Sequence, residues 1–109
     1  MDKQAYPSLD ALKEMSATLG RDRWREVSDV AQVVASYLCC HPKVEEVRYA
    51  GLKSDPLFSR AATTLERGFG PVVMYRVAGE WHSLVCVPED PRAAVMRLER
   101  ALAPTDSLP

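Results

Sequence analysis

The sequence predicts an α+β domain of two layers, in which helices cover one face of a small, mostly antiparallel sheet. Between Ser8 and His41, apolar residues recur at steps of three and four, which is the period of a helix. Two short apolar runs flank Ala78-Gly79-Glu80, as expected of a β-hairpin. Helical spacing returns after Asp90-Pro91. The predicted order is therefore helix, helix, strand, helix, strand, strand, helix.

The first part of the chain is predicted to form two helices. One runs from 8 to 19, with Ser8 or Asp10 as its cap, and Gly20 ends it. The other runs from 22 to 41. Its apolar residues form two adjacent stripes, Trp24-Val27-Ala31-Val34-Leu38 and Val30-Val33-Tyr37-Cys40. Such a wide apolar face favours contact with a sheet or with another chain.

The rest of the chain alternates short strands with two further helices. The strands are predicted at Val44–Tyr49, Pro71–Val77 and Trp81–Val87. Asp55-Pro56 is a helix start, because the carboxylate can cap the first turn and proline suits its first position, and Gly68 is the expected left-handed terminator. Asp90-Pro91 repeats this start signal before the last helix. The inward stripe of that helix is Val95, Leu98 and Leu102.

The composition is that of an ordinary globular domain. The 109 residues include 47% hydrophobic and 27% charged residues, and the formal net charge is −1. We expect a single domain, residues 1–109, with an ordered core from about 8 to 103 and a frayed tail at 104–109. The near-neutral charge argues against nucleic acid as a partner, because sequence-independent binding needs clustered Lys and Arg.

No apolar run approaches the roughly 20 residues that span a bilayer, and the N-terminus has no hydrophobic segment of a signal peptide. The three cysteines, Cys39, Cys40 and Cys86, are odd in number and two are adjacent, so a disulfide framework is not expected. We therefore expect a cytoplasmic protein without a membrane partner.

Four short motifs in the middle of the chain occur together in one enzyme family. They are His41-Pro42-Lys43-Val44, Tyr49-Ala50-Gly51-Leu52, Asp55-Pro56 and Gly68-Phe69-Gly70. With them, the chain resembles the C-terminal domain of the pyridoxal-phosphate enzymes of cysteine and methionine metabolism, such as cystathionine γ-synthase, cystathionine γ-lyase and acylhomoserine sulfhydrylases. Leu9-Asp10-Ala11 and Glu89-Asp90-Pro91 extend the resemblance to both ends. It implies the fold of the C-terminal domain of fold-type I pyridoxal-phosphate enzymes.

Two departures from the family bear on activity. The family's Schiff-base lysine lies in a large N-terminal domain that this sequence does not include. The arginine that binds the substrate carboxylate should fall between His82 and Val85, where there is none, and neither His82 nor Ser83 has a fixed charge and fork geometry to replace it. We therefore assign no catalytic and no cofactor-binding residue. Pyridoxal phosphate is expected only if a partner chain supplies the lysine.

Cys39-Cys40-His41 is the one cluster that suggests a metal, because thiolates and imidazole are the usual zinc ligands. Adjacent cysteines on a helix point roughly 100° apart, and no further motif completes a site. We expect instead a buried Cys40, a partly exposed Cys39 and a His41 held by the helix end, and we assign no metal site. Cys86 is expected to be a core residue of a strand, since no base can be assigned to activate it.

Other candidate groups have structural explanations. His82 is expected to be solvated on a strand, opposite in direction to Trp81. Gly68-Phe69-Gly70 precedes a strand and not a helix, so a tight entry into the sheet is favoured over a phosphate loop. The basic residues Arg21, Arg23, Arg25, Arg92, Arg97 and Arg100 are expected on solvated helix faces.

Three functions stay open at this point. The first is a non-catalytic relative of the family's C-terminal domain that acts as a binding, assembly or regulatory module. The second is one half of a split pyridoxal-phosphate enzyme, and the third is a small-ligand sensor. The expected partner is a second copy, bound through the helix from 22 to 41 or a sheet edge, or another protein such as a full-length or truncated enzyme of the family. Val30 and Val33 are the positions expected to face it.

Overall fold

A computed structural model describes residues 6–102 of the chain. Its elements are α1 (Leu9–Leu19), α2 (Arg21–Cys39), β1 (Val44–Arg48), α3 (Phe58–Thr64), β2 (Val72–Val77), β3 (Glu80–Val85) and α4 (Pro91–Leu102). The predicted α+β class and the order of elements are confirmed. The tail predicted to fray, residues 104–109, lies outside the described residues. Within residues 6–102, no helix is both long and apolar enough to cross a membrane.

The sheet is an antiparallel meander in the order β1-β2-β3. β2 and β3 are joined by Ala78 and Gly79 alone, both with positive φ, at 52° and 79°. Positive φ at both central residues is the requirement of a two-residue type I′ turn. Glu80, predicted to be part of the turn, instead pairs with Val77. β3 therefore begins one residue before the predicted strand, and it ends at Val85 rather than Val87.

The ends of α1 follow the sequence signals. Ser8, and not Asp10, caps the helix, since its hydroxyl oxygen accepts a hydrogen bond of 3.1 Å from the N–H of Ala11. Gly20 closes the helix with φ of 87°. α2 begins directly after this glycine and ends at Cys39, two residues before the predicted end.

α3 is shorter than predicted and begins later, because the carboxylate of Asp55 is shared between the turn before the helix and the end of β1. The carboxylate of Asp55 points back to the end of β1, where it accepts hydrogen bonds from the backbone N–H of Tyr49 and the guanidinium of Arg48. Its other oxygen accepts from the N–H of Leu57 in a turn. The regular helix starts only at Phe58 and has 7 residues.

Gly68 is not the terminator of α3, which ends at Thr64 with Leu65 in extended geometry. The φ of Gly68 is positive, at 142°, as predicted, but the reason is close packing. A Cβ atom at Gly68 would lie 2.3 Å from the Cβ of Ser28 on α2. The chain can enter β2 along this path only if residue 68 has no side chain.

The core lies between α2 and the sheet. The first predicted stripe of α2 is entirely buried: Trp24, Val27, Ala31, Val34 and Leu38. It packs with Tyr49, Val73, Cys86, Leu98 and Leu102 in the main cluster and with Leu12, Ala50 and Ala61 in a second one. The second stripe behaves differently along its length. Val30 is 2% exposed, whereas Val33 is 42% exposed and Cys40 is also exposed.

Candidate functional site

The Cys39-Cys40-His41 cluster lies at the C-terminal end of α2. Both cysteines are exposed, so the expectation of a buried Cys40 is wrong; this residue follows the last helical residue, Cys39. His41 is held at the helix end as predicted, because its backbone N–H donates to the carbonyl of Leu38 at 3.1 Å. Its Nδ1 accepts a hydrogen bond of 3.1 Å from the N–H of Lys43. Within the described part of the chain, no group of three metal-ligating side chains comes together.

His82 lies on β3 as predicted, and Cys86 is buried as predicted but lies one residue beyond the end of that strand. Cys86 is 7% exposed and belongs to the main core cluster. Burial raises the pKa of its thiol to about 11, so the reactive thiolate is scarce near neutral pH. His82 is exposed and stacks on the ring of Tyr75, with 5.2 Å between ring centroids.

The Gly68-Phe69-Gly70 segment is tied to α2 by its own backbone. Trp24 Nε1 donates to the carbonyl of Gly68 at 3.2 Å, and the N–H of Gly70 donates to the hydroxyl of Ser28 at 2.9 Å. The amide of Gly70 is therefore not available to an external phosphate. Ser28 is the residue that sequence reasoning missed here, since a serine inside an apolar helix face carries no sign of its partner.

A polar network joins the start of the chain to the sheet. Arg48 holds Asp55 with two hydrogen bonds, of 2.8 Å from Nε and 3.2 Å from Nη2, and the Asp55 side chain is fully buried. The ring of Tyr6 lies 5.1 Å from the Arg48 guanidinium carbon. The hydroxyl of Tyr6 donates to Val72 and accepts from Ala50, and burial raises its pKa to about 12. These contacts fix the chain path around the sheet.

The second arginine of the sheet is also bound within the chain. Arg76 on β2 pairs with Glu45 at 2.9 Å and with Glu46 at 3.3 Å, both on the neighbouring strand. Its guanidinium carbon lies 5.6 Å from the ring centroid of Trp81 on β3. Arg48 and Arg76 thus have carboxylate partners from their own chain. A guanidinium held in this way is not a ready clamp for a substrate carboxylate.

The candidate functional site is an apolar groove between α2 and α4, which we call the α2–α4 groove. It is open to solvent and has a volume of about 790 Å³. Its apolar walls include Val33 and Tyr37 from α2 and Val95 and Met96 from α4, while Arg92 and Glu99 also line it. Val33 is 42% exposed and Met96 is 54% exposed, which are large values for such side chains. Exposed apolar surface of this kind usually marks an interaction site.

The groove forms because each helix has more apolar surface than the helix pair buries. α2 and α4 meet through residues of the main cluster such as Val30, Val34, Leu98 and Leu102. The apolar residues next to this contact, such as Val33 on α2 and Met96 on α4, stay at its rim and line the groove. Sequence reasoning identified Val33 and Tyr37 as a second stripe of α2 but gave no role to Met96. The predicted placement of Val95 on the inward stripe of α4 is wrong, because Ala94 is buried there and Val95 lines the groove.

Comparison with known proteins places this fold in a family. Residues 16–96 match the family model described as Cys/Met metabolism PLP-dependent enzyme. The chain is 32% identical over 74 residues to the chloroplastic mimosinase of Mimosa pudica, an alignment that spans 68% of this chain and 15% of mimosinase. The described fold also resembles a Campylobacter jejuni protein assigned as an O-acetylhomoserine (thiol)-lyase, with a TM-score of 0.70 and 14% identity. That match covers 76% of this chain and 29% of the lyase, whose structure contains N′-pyridoxyl-lysine-5′-monophosphate.

The described residues do not fit the cofactor of these relatives. A lysine that carries pyridoxal phosphate must lie in a pocket, but Lys13, Lys43 and Lys53 are all exposed, and none of them lines the α2–α4 groove. The structural likeness at 14% identity concerns the fold alone. The family model, however, matches most of the chain. The chain therefore belongs to the Cys/Met metabolism pyridoxal-phosphate-dependent enzyme family.

Proposed function

We propose that the chain is a non-catalytic relative of the C-terminal domain of these enzymes and acts as a binding and assembly module. The observation that carries this proposal is the α2–α4 groove. Its apolar lining is exposed in the single chain, and binding of a protein surface would remove that lining from water, which is the main favourable term in most protein associations. Binding of this kind requires no catalytic residue in the chain.

The charges on the sheet support the non-catalytic part of the proposal. The strand β3 carries no arginine at the position where the family resemblance implies a substrate-binding one. The arginines of the other two strands, Arg48 and Arg76, are engaged by Asp55, Glu45 and Glu46. Recruiting either one for a substrate would break an ion pair that the fold already uses.

The proposal is tested by mixing the purified protein with pyridoxal phosphate and reducing the mixture with borohydride. We expect no stoichiometric visible absorption band, and we expect peptide mass spectrometry to find only scattered, substoichiometric lysine adducts. A complete enzyme of the family serves as the positive control. A one-to-one adduct on a single lysine would contradict the non-catalytic assignment.

A split enzyme is the second candidate, and the lengths of the relatives favour testing it. The chain spans 29% of the Campylobacter jejuni lyase and 15% of mimosinase, so most of each relative has no counterpart in it. An affinity pull-down from the native cell identifies what the chain binds. Recovery of a separate lysine-bearing chain, with a visible cofactor band and lyase activity only in the mixture, would establish the split enzyme instead.

A further inference from the structure

We propose that a second copy of the same chain occupies the α2–α4 groove, packed around a two-fold axis so that the two α4 helices run antiparallel. This inference rests on the proposed assembly role and names its partner. It follows from the order of charges along the groove.

One face of α4 carries Arg92, Val95, Met96 and Glu99, all of which line the groove. Their spacing of three, four and seven residues places them on the same side of the helix, over about 10 Å. The order along this face is positive, apolar, apolar, negative. Its two ends therefore differ in sign, and its middle is apolar.

A helix face with this order is complementary to the same face of a second copy that runs in the opposite direction. If a two-fold axis passes between Val95 and Met96, the Val95 of one copy faces the Met96 of the other. The same axis sets Arg92 of each copy opposite Glu99 of the other, so two ion pairs form at the rim. An isologous contact of this kind closes on itself and gives a dimer, not a filament. Opposite charges on the rim fix the register, and the apolar middle is removed from water.

The two charged groups are available for this contact. The side chain of Arg92 is 90% exposed, and its nearest acidic group in the described chain, Asp90 Oδ1, lies 3.8 Å from Arg92 Nε, at the outer limit of an ion pair. Glu99 is exposed as well. Glu99 lines the groove together with Tyr37, and burial, then the charge of Glu99, raise the pKa of Tyr37. Val33 and Tyr37 widen the apolar area on that side.

A second exposed surface could also join two copies and must be distinguished. β3 is an edge strand of the sheet, and Val85 and Val87 beside this edge are 61% and 52% exposed. Nothing in their arrangement selects a second copy over any other extended chain. In the groove, by contrast, the order of the charges along α4 matches that of a second, antiparallel copy, so the charges select this partner.

The experiment is sedimentation velocity over a wide concentration range, with charge-reversal variants. We expect a dimer in the unaltered protein and a dissociation constant raised about tenfold or more by Arg92→Glu or by Glu99→Arg, because each substitution sets like charges opposite each other at both symmetric positions. The double variant Arg92→Glu/Glu99→Arg restores both pairs with reversed sign, so its dissociation constant should return towards the original value. Arg21→Glu, the same charge change on the exposed start of α2 outside the groove, should leave the dimer unchanged.

Circular dichroism of each variant verifies that the fold is kept, as expected for exposed residues. A monomer at all concentrations overturns the proposal, as does a dimer that the single reversals leave intact or that the double variant fails to restore. A dimer lost with Val85→Glu but insensitive to Arg92→Glu would assign the contact to the β3 edge, which overturns the groove dimer while the assembly role stands. A one-to-one cofactor adduct on a lysine would instead contradict the proposed function.

Discussion

At the scale of single residues, Asp55 and Asp90 show how the same dipeptide acquires two roles. Both precede a proline. Asp90 is exposed and accepts a hydrogen bond of 3.0 Å from the N–H of Arg92 at the start of α4, which is the expected capping role. Asp55 accepts the same kind of hydrogen bond, 2.9 Å from the N–H of Leu57, but it is buried and also binds Arg48 and the N–H of Tyr49. The difference comes from neighbours distant from the dipeptide itself, which the local pattern cannot show.

This difference predicts unequal costs for the same substitution. Asp55→Asn removes the charge that pairs with a half-buried arginine, so we expect the free energy of unfolding to fall by about 2 kcal/mol or more. Asp90→Asn keeps a good capping residue at an exposed site, so the loss should be within about 1 kcal/mol. Urea denaturation measures both values. Equal losses would mean that the buried contacts of Asp55 with Arg48 and Tyr49 add nothing to the turn contact that it shares with Asp90.

Gly68 is the second residue whose role depends on a distant neighbour. Replacing it with Val should lower the free energy of unfolding by about 1 kcal/mol or more, because a β-branched residue tolerates positive φ poorly and its Cβ would meet Ser28 on α2. Gly79→Val is the matched control, since Gly79 also has positive φ but nothing lies within 4 Å of its added Cβ. Chemical denaturation should show the larger loss for Gly68. The opposite order would show that backbone strain alone decides.

At the scale of elements, the sequence predicts what local periodicity and capping control. α1, α2 and α4 lie close to their predicted positions because their apolar stripes and end signals agree. α3 departs because the Asp55 carboxylate also binds the end of β1, and because Gly68, predicted to end the helix, is instead fixed by contact with α2. β3 departs at its ends because a two-residue turn sets the pairing of Val77 with Glu80. The errors therefore fall where contacts across the sheet decide the local geometry.

The groove could be predicted only in part for the same reason. A wide apolar face on α2 is visible in the sequence, and it includes Val33 and Tyr37. The sequence does not show that α4 lies beside this face, so the contribution of Met96 and the opposed charges of Arg92 and Glu99 appear only in the folded chain. The pattern of one helix predicts that it has a partner, but not which residues line the boundary between them.

At the scale of the whole molecule, α2 contributes both to the stability of the fold and to the surface proposed for association. Its buried stripe forms the centre of the core, and the adjoining stripe passes from the core to the groove. Both stripes were predicted from the same periodicity, and Val30 and Val33 were expected to face a partner together. For Val30 this expectation is wrong, because packing against the core cluster with α4 leaves it 2% exposed.

The two valines should therefore respond differently to the same substitution. Val30→Glu places a carboxylate in the apolar core without a partner, so we expect the free energy of unfolding to fall by about 3 kcal/mol or more, or the chain to fail to fold. Val33→Glu adds a charge to an exposed wall of the α2–α4 groove; the monomer should keep its circular dichroism spectrum, while self-association weakens because the charge must be desolvated in the contact. Denaturation and sedimentation velocity on both variants separate the two effects. If Val33→Glu leaves association unchanged, or if it unfolds the chain as Val30→Glu does, then the boundary between core and interface does not run between these two positions.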